Sequence, residues 1–429
     1  ETFVAKAYGG LPLRFRYNRN PVRLFFPATT SMYTPSTAVL RFSLFLFAIS
    51  LYLFLRFVWP ARLPLWSKAL LTVFVFSGAT YPMLTEAFWG GFVASNSPRW
   101  AGIWMNFHSG VLTLLTIVTL LRDVALLACW VVRRFTWQDV RRVSGSRRTA
   151  LTLLTASAGL AFVGIVEGTR VPDVVHRSVT LPELPPEWEG FRIAHLSDIH
   201  VSPIFRREHF EELVARTNAL KADLVLITGD FVDGRVPVRY VDAEPLAKLT
   251  APYGVWGCEG NHEHYSGLEE WLEVFPKLGI RLLRNEHTLL QRNGQSLALV
   301  GLTDSMAGRF GRETPDMRKA VSGIPEGVPH ILLVHRPGEA RRWAEEDPAA
   351  ILQLSGHTHG GQILGMNLVV AMQNGGFVSG FYDVARKAGR VMRLFVHPGS
   401  GLWNGFAMRL GVPSEITLLT LTAGEKSTR

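Results

Sequence analysis

The spacing of apolar and polar positions divides the chain into two parts with different periods. Between Val39 and Val166 four long apolar stretches follow one another. In Val39–Trp59 the only charges are Arg41 and Arg56, and Ala69–Thr85 has none. Ile103–Leu121 is uncharged and resumes past Arg122-Asp123 to Val132, and Ala150–Val166 is the fourth. Each approaches the ~20 apolar residues that cross a hydrocarbon core. Trp59, Trp66, Trp89, Trp100, Trp104, Trp130 and Trp137 cluster near the ends, as interfacial tryptophans do. The pattern predicts a transmembrane module of about four helices over 32–170, rather than buried helices of a soluble core. Beyond it, residues 171–190 are proline-rich without strong periodicity and read as a linker.

From Phe191 the period shortens. Phe191–Ser197 is an apolar strand, Arg206–Lys221 has helical spacing (Phe210, Leu213, Val214, Leu220), and Leu224–Thr228 is a second buried strand. Tyr253–Glu259 reads as a third strand and Gly267–Leu278 as a short amphipathic helix. His287–Arg292 and Gln295–Gly301 flank Asn293-Gly294, a strong hairpin signal. His330–Val334 and Ala350–Leu354 are further apolar strands. Strands alternating with helices predict an α/β domain over 191–429.

Charge changes the picture in one respect. The chain has a formal net charge of +10. Residues 1–170 hold 18 Lys and Arg against 5 Asp and Glu, and the remainder 27 against 30. The basic excess therefore lies among the apolar stretches, where it reports topology and lipid-phosphate contact, and no nucleic-acid partner is expected. Arg133, Arg134, Arg141, Arg142, Arg147 and Arg148, opposed only by Asp139, mark the segment before the fourth stretch as cytoplasmic. The expected localisation is a multi-pass membrane protein with residues beyond Val166 on the non-cytoplasmic side. The basic tail before Met32 conflicts with that orientation, and 1–31 is expected to be non-native or disordered. Arg147-Arg148 before an apolar run also resembles a twin-arginine export signal, although three preceding stretches favour a cytoplasmic anchor. Cys129 and Cys258 lack metal-site or disulfide-framework spacing.

The candidate chemistry sits at predicted strand ends. Asp198 and His200 are two apart in a segment read as extended, so their side chains face the same way, and His357 and His359 repeat the spacing. Asp230, Asn261 and His335 each follow a strand of their own, where α/β sheets gather ligands. Two Asp, one Asn and four His suit two divalent cations sharing a carboxylate, with manganese, iron or zinc favoured over soft or all-oxygen ions. His195, His330, His397 and His108 read as packed or isolated histidines, and His264 as a neighbour of the ligand set.

Asp198-Ile-His200, Gly229-Asp230-Phe-Val-Asp233, Gly260-Asn261-His262-Glu263, His335-Arg-Pro337 and Gly356-His357-Thr358-His359-Gly360-Gly361-Gln362 stand in an order that resembles the calcineurin-like metallophosphoesterase superfamily. The last motif, with Gly380-Phe-Tyr382, Arg409 and Glu415-Ile-Thr-Leu, is similar to its membrane-attached or exported bacterial branch. The resemblance runs from about Phe191 to Leu421. It implies a four-layer αββα sandwich behind the transmembrane helical module. It also implies one metal on Asp198, His200, Asp230 and His359 and a second on Asp230, Asn261, His335 and His357. Two places depart from the family pattern: the polar strand end Trp256-Gly-Cys-Glu259, and Pro413-Ser-Glu415 in place of Arg-Pro-Glu, so that no substrate contact is carried over to that turn.

The implied function is hydrolysis of a mono- or diester of phosphate by a dinuclear centre with a metal-activated hydroxide. His262 is the expected proton donor to the leaving group, with Asp233 orienting it. A lipid or nucleotide-lipid phosphoester is the substrate class that a bilayer tether suggests. The rival readings are a non-catalytic membrane receptor or scaffold on the same fold, disfavoured by a complete ligand set, and a transporter, disfavoured by the scarcity of ionisable residues in the apolar stretches.

Overall fold

A computed structural model describes residues 2–4, 14–16, 36–91, 96–136 and 147–424. It divides into two compact units. One is helical, reaches Glu167 and also takes Gly405–Met408; the other runs from Gly168 to Asn404 and resumes at Arg409. Of the expected tail, only Thr2–Val4 and Arg14–Arg16 are described, and they pair antiparallel. The rest of 1–31 lies outside the described residues, as do 137–146 with Arg141 and Arg142 of the arginine-rich segment.

The helical unit contains α1 (Thr37–Leu53), α2 (Leu65–Trp89), α3 (Arg99–Thr136) and α4 (Arg147–Thr169), one for each apolar stretch. Three segments, Thr37–Val58, Arg99–Val132 and Arg148–Thr169, are long and apolar enough to cross a membrane. Helix α2 is long enough, but Lys68, Pro82 and Glu86 dilute its apolar character. α1 continues into a π-helical turn, Phe54–Val58, that contains Arg56. The Asp123 carboxylate of α3 accepts from Arg56 Nε at 2.7 Å, Tyr52 Oη at 3.0 Å and Arg122 Nη2 at 3.0 Å, so the charges interrupting these stretches are paired. Ionisable groups within apolar spans pair with one another in this way.

The second unit has two six-stranded sheets. The first is built from β1 (Asp173–Leu181), β2 (Arg192–Leu196), β3 (Leu224–Thr228), β4 (Val255–Cys258), β5 (Ile280–Leu282) and the C-terminal β12 (Glu415–Ala423), in the order β1-β12-β2-β3-β4-β5. The second is built from β6 (Glu286–Arg292), β7 (Gln295–Gly301), β8 (His330–Leu333), β9 (Ala350–Ser355), β10 (Gly380–Ala385) and β11 (Val391–Val396), in the order β10-β11-β9-β8-β7-β6. Asn293 and Gly294 turn the β6–β7 hairpin with φ of 50° and 81°, as the Asn-Gly pair predicts. Alternate residues of both sheets, among them Ile193, Leu226, Leu299, Leu333, Leu354 and Leu419, form the core between them. Outside the second sheet, Met317 and Ala320 of α9 (Met317–Val321) and Trp343 of α10 (Ala340–Glu346) pack on Val300, Leu332 and Leu394. The first sheet is served by α5 (Arg207–Ala219), which buries Phe210, Leu213 and Val214. Helices thus cover both outer faces, giving the four-layer αββα sandwich.

The stretch 171–190 is not a linker. It holds β1, which pairs parallel with β12 over nine residues from Asp173↔Glu415 to Leu181↔Ala423. It also holds a 3-10 turn that buries Trp188 completely. Only Val171 and Pro172 therefore separate the residue after α4, Arg170, from the sheet.

Candidate metal centre

Strands β2, β3, β4, β8 and β9 pair as parallel neighbours within their sheets, and each delivers its motif from its carboxyl end. Asp198 and His200 follow β2, Asp230 follows β3, Asn261 follows β4, His335 follows β8, and His357 and His359 follow β9. The convergence does not come from an extended chain, as the two-residue spacing suggested. Asp198, His200, Asp230, His357 and His359 all have left-handed φ, between 48° and 71°. Asp and His enter that region more readily than most non-glycine residues, but five of them together in one cluster is unusual, and such backbone strain gathers at functional sites. Gly229 permits the close approach of neighbouring loops: a Cβ there would lie 2.6 Å from His335 Nδ1 and 2.8 Å from Gly260.

Among the described residues the side chains meet in three groups: Asp198 with His200 and His359, Asp230 with His335 and His357, and His200 with Asp233 and His262. Asp230 lies between the first two. Its Oδ2 is 3.2 Å from His335 Nε2, 3.8 Å from His200 Nε2 and 3.8 Å from His262 Nε2. His359 Nε2 is 3.4 Å from Asp198 Oδ1 and 3.3 Å from His200 Nε2. Several imidazoles are held from behind: His200 Nδ1 by Asp233 Oδ1 at 3.1 Å, and His335 Nδ1 by the Thr228 carbonyl at 2.8 Å. Their Nε2 atoms are thereby aimed inward, as outer partners do for ligating histidines. Asp198 is fixed by Ser197 Oγ at 2.6 Å and by the His357 N–H at 3.0 Å. A hydrogen-bond chain continues through Thr228 Oγ1 to His195 Nε2, each link 2.9 Å.

The donor set fits divalent cations. Asn261 Oδ1 is buried and has no hydrogen-bond partner, an expensive state for an amide oxygen that faces no cation. Desolvation, then Arg336, holds His357 well below its ordinary range, and burial, then His200, does the same for His359. Both are therefore neutral imidazoles with a lone pair to give. For His335, burial opposes protonation, but Asp230 and Asp198 outweigh it and raise the ring to about 10. The carboxylates thus demand positive charge where a cation would sit.

His262 and Asp233 are brought to the same place. His262 Nδ1 is 2.6 Å from Asp233 Oδ1, the oxygen that also holds His200. Burial would lower the His262 ring, yet Asp230 and Asp233 hold it up at about 9. Burial likewise works against an ionised Asp233, but His200 and His262 carry it well below the usual carboxylate range. Asn261 and His262 open a short helix, α7 (Asn261–Tyr265). What distinguishes His262 is its Asp233 contact and the ring of Trp403 at 6.3 Å.

Three residues that the motifs carry without an assigned role act here as partners of the site. Glu263 accepts backbone N–H from Gly260 at 2.7 Å, Asp230 at 3.0 Å, Phe231 at 2.7 Å and Val232 at 3.2 Å, tying the β3 and β4 loops together. Burial and Asp230 push its carboxyl up to about 8, whereas four donors stabilise the ionised form, and the geometry decides for the carboxylate. Arg336 is clamped by both oxygens of Asp304 through Nε, at 3.1 and 2.9 Å, and places Nη1 3.0 Å from His357 Nε2. Arg409, fully buried, donates to the carbonyls of His359 at 3.1 Å and Pro398 at 2.7 Å, and so braces the last ligand loop.

The remaining histidines do other work. His264 lies 3.2 Å from Glu259 and 3.1 Å from Arg312, in a charge network beside the site. His330 pairs with Asp347 at 2.8 Å, and His195 packs against His397 between the sheets. At the departure Pro413-Ser-Glu415, Glu415 pairs with Arg177 at 2.6 Å, a structural role.

Two sheets with helices on both outer faces, and a carboxylate–imidazole cluster at the strand ends, define an α/β protein built around a metal site. The family model of calcineurin-like phosphoesterases matches residues 191–361. A Helicobacter pylori protein described as an uncharacterized metallophosphoesterase is 32% identical over 281 residues, covering 66% of this chain and 72% of its own length. A zebrafish (Danio rerio) transmembrane protein with metallophosphoesterase domain is 34% identical over 284 residues, covering 65% of this chain. A Bos taurus protein of the same description is 33% identical over 285 residues, covering 64% of this chain. The chain spans 64% and 63% of the length of these two vertebrate relatives. The chain belongs to the calcineurin-like phosphoesterase family.

Proposed function

We propose that this chain is a membrane-anchored phosphoester hydrolase working with two divalent cations, manganese, iron or zinc. Asp198, His200, Asp230 and His359 would hold one and Asp230, Asn261, His335 and His357 the other. The observation that carries this is the position of Asp230 Oδ2 amid three imidazoles, together with the unpartnered Asn261 Oδ1. Two bound cations at such a site supply charge neutralisation for a phosphoryl group and an activated water.

The chain's own residues do the rest. His262, held protonated by Asp233 and Asp230, donates Nε2–H to the leaving oxygen. Arg336 has one N–H on His357 Nε2. With His357 Nε2 committed to a cation, the Arg336 donors, still fixed by Asp304, would be available to a phosphoryl oxygen. The catalytic unit is read as lying on the non-cytoplasmic side of a multi-pass anchor, because of the arginines before α4. The test is metal analysis with hydrolysis of a p-nitrophenyl phosphodiester and monoester by the full chain and by Asp230→Asn. Two metals and turnover in the parent, both lost in the variant, are expected. A metal-free or inactive parent would favour a scaffold, and an unaffected variant would remove the shared-carboxylate assignment.

A further inference from the structure

Residues 360–382 contain no Asp, Glu, Lys, Arg or His. This segment is not core. Its helix α11 (Asn367–Gln373) has five apolar residues of seven and no buried residue. Leu364, Leu368 and Met372 are 78%, 71% and 79% exposed, and Val369 is 40% exposed. Among the described residues of the catalytic unit eight large apolar side chains are exposed, four of them within 364–372, and no other passes half exposure. Leu368 and Met372 are one helical turn apart and so share a face.

The exposed helix is fixed to the metal-ligand loop at both ends. A Cβ on Gly361 would lie 2.8 Å from the N and Cα of Asn367, so α11 starts directly on the glycine two residues past His359. At the far end the Thr358 hydroxyl donates to the Val378 carbonyl. Between them the Leu364 N–H donates to the Leu410 carbonyl at 2.9 Å. The loop bearing His357 and His359 and the exposed helix form one piece.

We propose that α11, with Leu364, Leu368, Val369 and Met372, inserts into the bilayer interface, so that the metal centre acts on phosphoesters of membrane lipids. This rests on the hydrolase reading above. The bilayer is the occupant because α4 is apolar enough to span it and β1 begins four residues beyond the Thr169 end of that helix. Four residues reach no more than about 14 Å, so the unit stays beside the membrane. A protein interface would carry a polar rim with charged residues, whereas this segment has none. Interfacial helices that rely on anionic headgroups carry Lys or Arg on the polar face; here insertion is driven by apolar area and is independent of lipid charge.

The test uses the full chain in phosphatidylcholine nanodiscs, with Leu368→Cys carrying an environment-sensitive fluorophore and Cys129→Ser removing the exposed thiol. Lipids spin-labelled high on the acyl chain should quench the emission at least two-fold, to the same extent when anionic lipid is mixed into the phosphatidylcholine, while aqueous iodide should have no effect. Quenching by iodide alone, or protection from both quenchers as expected for a second copy or a protein partner, would overturn the proposal. In parallel, Leu368→Glu/Met372→Glu should hydrolyse a soluble p-nitrophenyl ester at the parent rate and a vesicle-embedded lipid phosphoester at least ten-fold more slowly. Equal rates on the lipid would overturn the substrate class. A parent inactive on every ester, with lipid quenching retained, would sink the hydrolase reading and leave the docking intact.

Discussion

Asp233 is the residue through which the proposed metal and proton chemistry are coupled. It is fully buried; its Oδ1 faces His262 Nδ1 at 2.6 Å and His200 Nδ1 at 3.1 Å, and its Oδ2 accepts the Asn404 N–H at 3.0 Å. Asp233→Asn keeps the shape but replaces a carboxylate facing three N–H donors by an amide with one acceptor oxygen. At least one donor must lose its partner, and the other bonds lose their charge assistance. Each charge-assisted bond is worth ~1.5–3 kcal/mol. Loss of a carboxylate behind a ligating imidazole lowers metal affinity by about 10–100-fold, or about 1.4–2.7 kcal/mol. The His262 ring, now about 9, falls as burial acts without Asp233 to oppose it, so fewer molecules hold the donated proton at neutral pH. The two effects separate experimentally. Chelator competition should show one of two cations weakened by one to two orders of magnitude. At saturating metal, turnover should fall more on an alkyl phosphoester than on a p-nitrophenyl ester, whose leaving group needs little protonation. Unchanged affinity for both cations with an unchanged alkyl-to-aryl ratio would refute the shared role.

Four further outcomes follow from the same geometry. His262→Gln should keep both metals and lose on the order of 10²–10⁴ in turnover on alkyl esters, with a smaller loss on aryl esters; loss of a metal would make it a ligand. Gly356→Ala would put a Cβ 1.9 Å from Ser197 Oγ and 2.2 Å from Asp198 Oδ2. It should lower metal content and cost about 1–3 kcal/mol of stability, read by metal analysis and thermal unfolding. Burial, then Arg409 and Arg177, holds His397 at about 3, so the folded state stays neutral where an unfolded histidine near 6.5 binds a proton. Stability therefore falls as pH drops below about 6.5, by about 2 kcal/mol at pH 5, and His397→Gln should make that limb shallower by about that amount in urea titrations of metal-free protein. Alkaline phosphatase fused after Arg170 should be active and after Arg142 inactive; the reverse would invert the topology.

The candidate ligands stand out in the sequence because most sit directly after an apolar strand, where a few polar residues are conspicuous. Asp230 after β3 and His335 after β8 need only local pattern. How Asp198 and His200 converge was not legible, since alternation gives no hint of a left-handed φ. Glu263 could have been noticed beside Asn261, but its four backbone donors come from two loops that only the sheet brings together. Arg336 and Asp304 are 32 residues apart, and no spacing rule couples them. Strand β1 was hidden for a different reason: it is an edge strand with half its residues exposed or polar, flanked by prolines, and its partner lies at the other end of the chain.

That last pairing bears on how the protein is made. β1 is the first strand of the catalytic unit to be synthesised after α4, and β12 is the last. β12 lies between β1 and β2, so the sheet has no continuous ladder from β1 to the strands that carry the candidate ligands until β12 has been made. Closing a loop of that length is slow and its entropy is recovered only at the end. A chain terminated anywhere before Glu415 leaves two strands, β1 and β2, with open edges at the membrane surface, an invitation to pair with other chains. Until β12 is in place both edges stay open, and the pairing that closes them joins the segment directly after α4 to a strand more than 230 residues further along the chain.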